Sequence, residues 1–244
     1  MSVRLFFLFL FCAFISSAFA QEMEGPHDKE YVGGVNFNTN AGLIGGAMFR
    51  YGHRVKQDRY RVLEVEIVNV KNDKEIKTAS SVTGNSFVYK KENDLIPIRF
   101  KYGRQYMLFP SAQEEGVRVD FLWAGGATVG LVKAYMVEYD DTDYSVPNPV
   151  PNIVTQPYNP NGNDDNILGS AGPFSGLNHL KVVPGVNFKA GFVFQFVQFG
   201  GSVTGIEAGA MVEAYPHAIP ILAQSYNRNI YTSVYVNLFY GWHQ

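Results

Sequence analysis

Residues 96–108 read Ile96-Pro-Ile-Arg-Phe-Lys-Tyr-Gly-Arg-Gln-Tyr-Met-Leu108. Ile96, Ile98, Phe100, Tyr102, Tyr106 and Leu108 share one parity, whereas Arg99, Lys101, Gly103 and Gln105 occupy the other. Successive side chains of a β-strand point to opposite faces of a sheet, so this segment predicts a strand with one apolar and one polar face. Pro97 falls on the polar parity at the strand's entry, where a missing ladder donor is tolerated.

The same period recurs on both sides of this stretch. Leu63, Val65 and Ile67 alternate with Glu64 and Glu66. Val117, Val119, Phe121 and Trp123 alternate with Arg118 and Asp120, and the run continues through Ala127, Val129 and Leu131 against Gly126, Thr128 and Gly130. Phe188, Ala190, Phe192, Phe194 and Phe196 oppose Lys189, Gly191 and Gln195. Ile206, Ala208, Ala210, Val212 and Ala214 oppose Glu207, Gly209 and Glu213. The last run sets Ile230, Val234, Val236, Leu238, Tyr240 and Trp242 against Tyr231, Ser233, Tyr235, Asn237 and Gly241. Two Gly-rich runs, residues 30–38 and 42–54, bring the set to eight strands.

The spacing between the strands decides their arrangement. Connections 55–59, 109–115 and 200–202 are short, while 72–94, 140–184 and 216–228 are long, and the two kinds alternate along the chain. Only 39–41 is short where a long connection is allowed. Tight periplasmic turns, extended external loops and an even strand count are the plan of a bacterial outer-membrane barrel. The expected fold is therefore all-β: an eight-stranded antiparallel up-and-down transmembrane β-barrel with long extracellular loops.

Parity alone does not say which face is outside, because a lipocalin-like barrel has the same alternation with its apolar residues inward. The chemistry of the polar parity favours lipid outside. It carries charges of both signs, Glu64, Glu66, Arg99, Lys101, Arg118, Asp120, Lys189 and Glu207. Across a narrow lumen these are expected to form a paired interior network. Arg104 and Lys133 lie on the apolar parity but towards strand ends, where a charge near the interface costs little. Tyr240 and Trp242 share the outward face of the last strand, where aromatics are expected at the periplasmic interface and resemble the terminal signal of bacterial barrels. His243 and Gln244 follow them, which makes the match imperfect.

The chain opens with Arg4 and the apolar run Leu5–Ile15, followed by Ser16-Ser-Ala18-Phe-Ala20, the pattern of a secretory signal too short to span a bilayer as a helix. Residues 1–20 are thus read as a signal peptide and 21–244 as the barrel domain. Cys12, the one cysteine, lies in the signal, so the exported chain has neither disulfide nor lipid anchor on cysteine. A formal charge of -2 gives no electrostatic case for nucleic acid.

Catalytic and metal motifs are lacking, so no catalytic, cofactor-binding or metal-binding residues are expected. There is no G-x-S-x-G, and His27, His53, His179, His217 and His243 show no metal-ligand spacing. The acidic stretches Asp140–Asp143 and Asp164–Asp165 are oxygen-rich but do not fit a calcium loop, and a solvated external loop is the preferred reading. Loop 72–94 places Ser86-Phe-Val-Tyr89 before Lys90-Lys-Glu-Asn-Asp94, aromatics that either continue a hairpin above the membrane or rest on a partner.

Several stretches resemble a family of small outer-membrane barrels from Bacteroidota: Gly33-Gly-Val-Asn-Phe-Asn38, Tyr102-Gly-Arg-Gln105, Gly116–Phe121 with Gly125-Gly126 and Gly130–Lys133, Gly176-Leu-Asn178 with Pro184-Gly185, and Leu238–Trp242. The motifs are structural and carry no active site. The resemblance, similar in general plan to accessory barrels of type IX secretion, implies service to an envelope assembly. The expected function is a non-enzymatic outer-membrane barrel that meets lipid along its wall and envelope proteins through loops 72–94 and 140–184. The alternatives are an outer-leaflet lipid A deacylase or acyltransferase, and a barrel for a small hydrophobic ligand, which the charged inner parity disfavours.

Overall fold

The alternating segments form long strands that close on themselves. The structure, a computed structural model, describes residues 28–110, 117–197, 202–223 and 227–244. The expected signal peptide, His27, most of the 109–115 turn and residues 200–201 of the 200–202 turn lie outside these.

The strands are β1 (Lys29–Asn38), β2 (Gly42–Lys56), β3 (Arg59–Val68), β4 (Ile76–Ala79), β5 (Ser86–Tyr89), β6 (Asn93–Phe109), β7 (Val117–Ala134), β8 (Met136–Asp140), β9 (Ile153–Pro157), β10 (Ile167–Ser170), β11 (Lys181–Val197), β12 (Ser202–Ala214) and β13 (Ile230–His243). Eight of them close in the order β1-β13-β12-β11-β7-β6-β3-β2, every pair antiparallel. Apart from the short strands β4, β5 and β8–β10, each strand lies beside its successor, which is the expected up-and-down barrel. Closure satisfies every sheet edge, the condition for a sheet to survive in hydrocarbon.

The side that faces out is apolar. Phe100, Leu238, Phe188, Phe192 and Val65 are exposed, while Glu64, Glu66, Arg99 and Lys101 are buried. A lipocalin-like barrel has the reverse arrangement. The interior is layered. Val32, Met48, Tyr60, Val62, Leu122, Val193, Val203 and Phe239 fill its short-turn end. Charged residues occupy the middle. At the opposite mouth Leu95, Val132 and Val183 pack against Ile219, Ile221 and Leu222 of the 215–229 connection, which folds back into the opening. An eight-stranded barrel is just wide enough for side chains to fill, and here they do.

Most strand ends fall within a residue or two of the sequence reading, and the larger differences are in β11 and β7. Pro184 stands inside β11, paired with Val129 of β7, so the 140–184 loop gives up its last residues to the strand. β7 reaches Ala134, three residues past Leu131. A tilted strand crosses hydrocarbon in about 9–11 residues, and β6, β7 and β11 have 17, 18 and 17. Their upper ends therefore stand clear of the lipid on one side of the barrel.

A close approach inside the wall requires glycine. Gly191 faces Gly209 across β11 and β12, and Tyr235 is the next residue of that row. A Cβ on Gly209 would stand 2.3 Å from the Ala190 carbonyl oxygen and 2.8 Å from the Tyr235 hydroxyl. That hydroxyl donates to Glu207 at 2.7 Å. Gly209→Val is expected to push Tyr235 off this shelf and cost about 1–3 kcal/mol, the usual range for overpacking. Urea unfolding of the purified barrel measures it.

Candidate functional site

Alternation places the ionic side chains on one inner surface, and the register brings them to one level. Glu64 accepts from Arg50 Nε at 3.0 Å, Lys101 Nζ at 3.1 Å and Lys189 Nζ at 2.6 Å. Glu66 accepts from Lys101 at 2.5 Å and from Arg99 at 3.1 Å. Glu207 pairs with Lys189 at 2.7 Å and with Arg50. Arg99 turns its other side to Glu213 at 2.6 Å. Asp120 stands apart with Arg118, at 2.6 Å, and Gln105, at 2.5 Å. All eight residues anticipated for the interior thus face it in ion pairs.

Arg50, Glu213, Glu30, Asn36 and Asn237 complete the layer without having been singled out. Glu213 lay on the polar parity of its strand. Arg50 was hidden in a Gly-rich run whose alternation is weak. Asn36 donates to Glu66 at 2.9 Å and to Asn237 at 2.7 Å, giving a neutral hydrogen-bonded bridge between β1 and β13. Glu30, held by Gln195 at 3.1 Å, marks the lower edge of the layer. The ion pairs that meet at Glu64, Glu66, Glu207 and Glu213 link five strands, β2, β3, β6, β11 and β12, and lie between the apolar side chains at the two ends of the lumen. The layer ties the strands together across the lumen and pins their register.

The surface open to other molecules is at the long-loop end, where the two long loops form one folded cap. Residues 72–94 contain the β4–β5 hairpin, and 135–180 contain a small sheet in the order β10-β8-β9. Phe87, Tyr135, Val137, Tyr158 and Ile167 form a core between them. The backbone N–H of Val88 donates to the Tyr135 hydroxyl at 2.9 Å, and that of Lys90 to the Tyr158 hydroxyl at 3.2 Å. Ser80 donates to the Ile167 carbonyl at 2.5 Å. The expectation of a merely solvated 140–184 loop is corrected here. Its Pro and Asn residues shape turns between short strands that pair with one another and share a core with 72–94. Burial pushes the Tyr158 phenol up to about 12, with Asp164 adding to the shift, so it stays a neutral acceptor.

Lys91 bolts this cap to the barrel. Its ammonium lies 3.0 Å from Glu75 and 2.9 Å from Asp94. Asp94 also meets Lys133 at 3.3 Å, and Lys133 donates to the Pro173 carbonyl at 2.8 Å. The charge on the apolar parity is thus satisfied under the cap. Burial pulls the Lys91 ammonium down, but Asp94 and Glu75 outweigh it and hold it above the ordinary 10.5. A raised lysine stabilises fully below its unfolded pKa and loses that contribution only as pH climbs through the folded value. Between pH 6 and 9 the cap is therefore expected to resist limited proteolysis equally. Lys91→Met, which strands two carboxylates, is expected to cost about 1–3 kcal/mol and to speed cleavage within 69–92 at every pH.

The cap ends in a tip, residues 141–152, beyond β8 and β9. Asp141 and Asn152 close it by a backbone bond of 2.9 Å. Asp140 accepts from the Thr142 N–H at 3.0 Å, from the Tyr144 hydroxyl at 2.7 Å and from the Thr142 hydroxyl, which hold its carboxyl below the ordinary range. Despite this ordering, the tip exposes Tyr144 (71%), Val150 (80%) and, at its base, Ile153 (60%). Among the described residues no group of three or more His, Cys, Asp or Glu is arranged to hold a metal ion.

At the short-turn end, Tyr240 and Trp242 are exposed on the outer wall. Trp242 stacks on Tyr31 with ring centres 5.8 Å apart, and Tyr31 meets Tyr51 at 5.2 Å. These rings form part of a girdle of the kind that marks a membrane interface.

A closed sheet, greasy outside, ionic inside, with aromatics at the rim and long connections at one end, defines an outer-membrane β-barrel. No family model and no curated protein matches the chain. Among solved structures it is similar to Ail, the attachment invasion locus protein of Yersinia pestis, in complex with the heparin analogue sucrose octasulfate. That likeness has a TM-score of 0.42 and 11% identity, over 90% of this chain and 100% of that one. For Neisserial surface protein A (NspA) the values are 0.40 and 9%, over 88% and 96%.

Proposed function

We propose that this outer-membrane barrel is a non-enzymatic docking subunit whose cap engages another envelope protein. One observation carries the reading. The tip at 141–152 is tied at its base and around Tyr144 by its own hydrogen bonds, yet it presents Tyr144, Val150 and Ile153 to solvent. Exposed apolar groups on a pre-ordered loop lose little conformational entropy on binding and gain area buried from water. Asp141, Asp143 and Glu138 lie on or beside the tip, so the matching partner surface is apolar with a basic rim. The resemblance to Bacteroidota barrels makes type IX secretion machinery the first set of partners to try.

The test is cross-linking and co-purification from detergent-solubilised outer membrane. The wild-type barrel is expected to bring down a reproducible partner, and Tyr144→Ser/Val150→Ser to lose it while remaining folded. A wild-type chain recovered alone would overturn the docking role. A change in lipid A mass spectra on gene deletion would favour the enzymatic alternative instead.

A further inference from the structure

One stretch of the outer wall is not apolar. Lys29 lies opposite His53, His53 opposite Arg61, Arg61 opposite Arg104 and Arg104 opposite Trp123, a continuous row across β1, β2, β3, β6 and β7. Lys29, His53, Arg61 and Arg104 are all exposed. None forms an ion pair with a carboxylate among the described residues. Asp58, the acid of the neighbouring turn, is beside Arg59 at 3.4 Å, and Arg59 also lies over the Tyr106 ring at 5.5 Å.

Two residues along each strand towards the long-loop end runs the row Tyr31, Tyr51, Leu63 and Tyr102. Between the two rows opens a groove of about 220 Å³ lined by Tyr51, His53, Arg61, Leu63 and Tyr102. Above it Val65 and Phe100 continue the exposed apolar surface.

Opposed residues on neighbouring strands have Cβ atoms about 4.5–5.5 Å apart, and like charges held so close destabilise a sheet. Arg61 and Arg104 are such a pair. Hydrocarbon cannot relieve them, since an arginine there costs about 2–4 kcal/mol at midplane. The row escapes that cost by its height. Arg61 is three residues from Asp58, roughly 8 Å above the strand end at about 3.3 Å per residue and a tilt near 40°. That is headgroup level in the leaflet at the short-turn end, which in barrels of this class faces the periplasm. Guanidinium forks match phosphate oxygens in pairs, and tyrosine rings tolerate the boundary between wet and greasy surroundings.

The geometry points to a binding site for an anionic glycerophospholipid of the periplasmic leaflet. Its phosphate sits between Arg61 and Arg104 with His53 and Lys29 alongside, and its acyl chains run over Leu63, Tyr102, Val65 and Phe100. The lipid supplies the negative charge that the like-charged pair lacks, and the apolar surface above the groove selects a lipid over a free anion.

The barrel, purified in dodecyl maltoside and loaded with equal phosphatidylglycerol and phosphatidylethanolamine, is examined by native mass spectrometry. Wild type is expected to retain phosphatidylglycerol preferentially, and Arg61→Gln and Arg104→Gln to lower that preference roughly fivefold each. Arg61→Lys/Arg104→Lys is expected to keep most of it, and Lys77→Gln on the cap to leave it unchanged. Heat-dependent gel mobility establishes that each variant is folded. Equal retention of the two lipids by wild type, an undiminished preference in the glutamine variants, stronger retention of lipid A than of phosphatidylglycerol, or displacement by millimolar inorganic phosphate would each overturn the assignment.

Discussion

Glu64→Leu is expected to remove about 3–5 kcal/mol of stability, the range for breaking a buried ion pair by deleting one partner. Glu64 is the carboxylate on which Arg50, Lys101 and Lys189 converge. Without it three buried cations share Glu66 and Glu207. Urea titration in lipid vesicles, read as the fraction of heat-sensitive folded band on a gel, gives the value. Glu64→Leu/Lys101→Leu should recover part of the loss, because it removes a charge of each sign and residues in one network are not additive. A single-variant cost below about 1 kcal/mol, the scale of an exposed pair, would show that water reaches the layer and that the interior is not sealed.

Val236→Arg is the second large effect. Val236 is at the middle of β13, on the outward parity and level with Ala208 of β12. A guanidinium there meets the centre of the hydrocarbon at a cost of about 2–4 kcal/mol. The variant is expected to insert poorly into vesicles and to fold to a lower yield. In detergent micelles, which yield around a charge, the defect should shrink. If Val236→Arg inserted like wild type, the apolar wall would not be facing lipid.

The strands themselves were legible in the sequence because each buries one face, and burial on one side leaves a period of two in the chain. Even the Gly-rich β1 and β2 could be placed, by position between turns more than by alternation. The cap was not legible. Its strands are four or five residues long, too short to print a period, and its core is assembled from Phe87, Tyr135 and Tyr158, which are far apart in the chain. Loop chemistry such as Pro147, Pro149 and Pro151 signalled turns but not what the turns join. Arg50 was missed for a related reason. One of its partners, Glu64, lies opposite it on the next strand, but the other, Glu207, is reached only through closure of the barrel, a contact that no local pattern foretells. The basic row on the outer wall is likewise a product of register: Arg61 and Arg104 are ordinary strand-end charges until pairing sets them side by side.

In the closed barrel β12 and β2 flank the joining pair β13 and β1. The Arg50–Glu207 contact therefore reaches across the one place where the first and last strands of the wall meet. To part those strands sideways, the barrel would have to draw a buried guanidinium out of its carboxylate as well as unzip a ladder. The joint is latched from within, and molecules embedded in the bilayer find no lateral doorway there into the lumen.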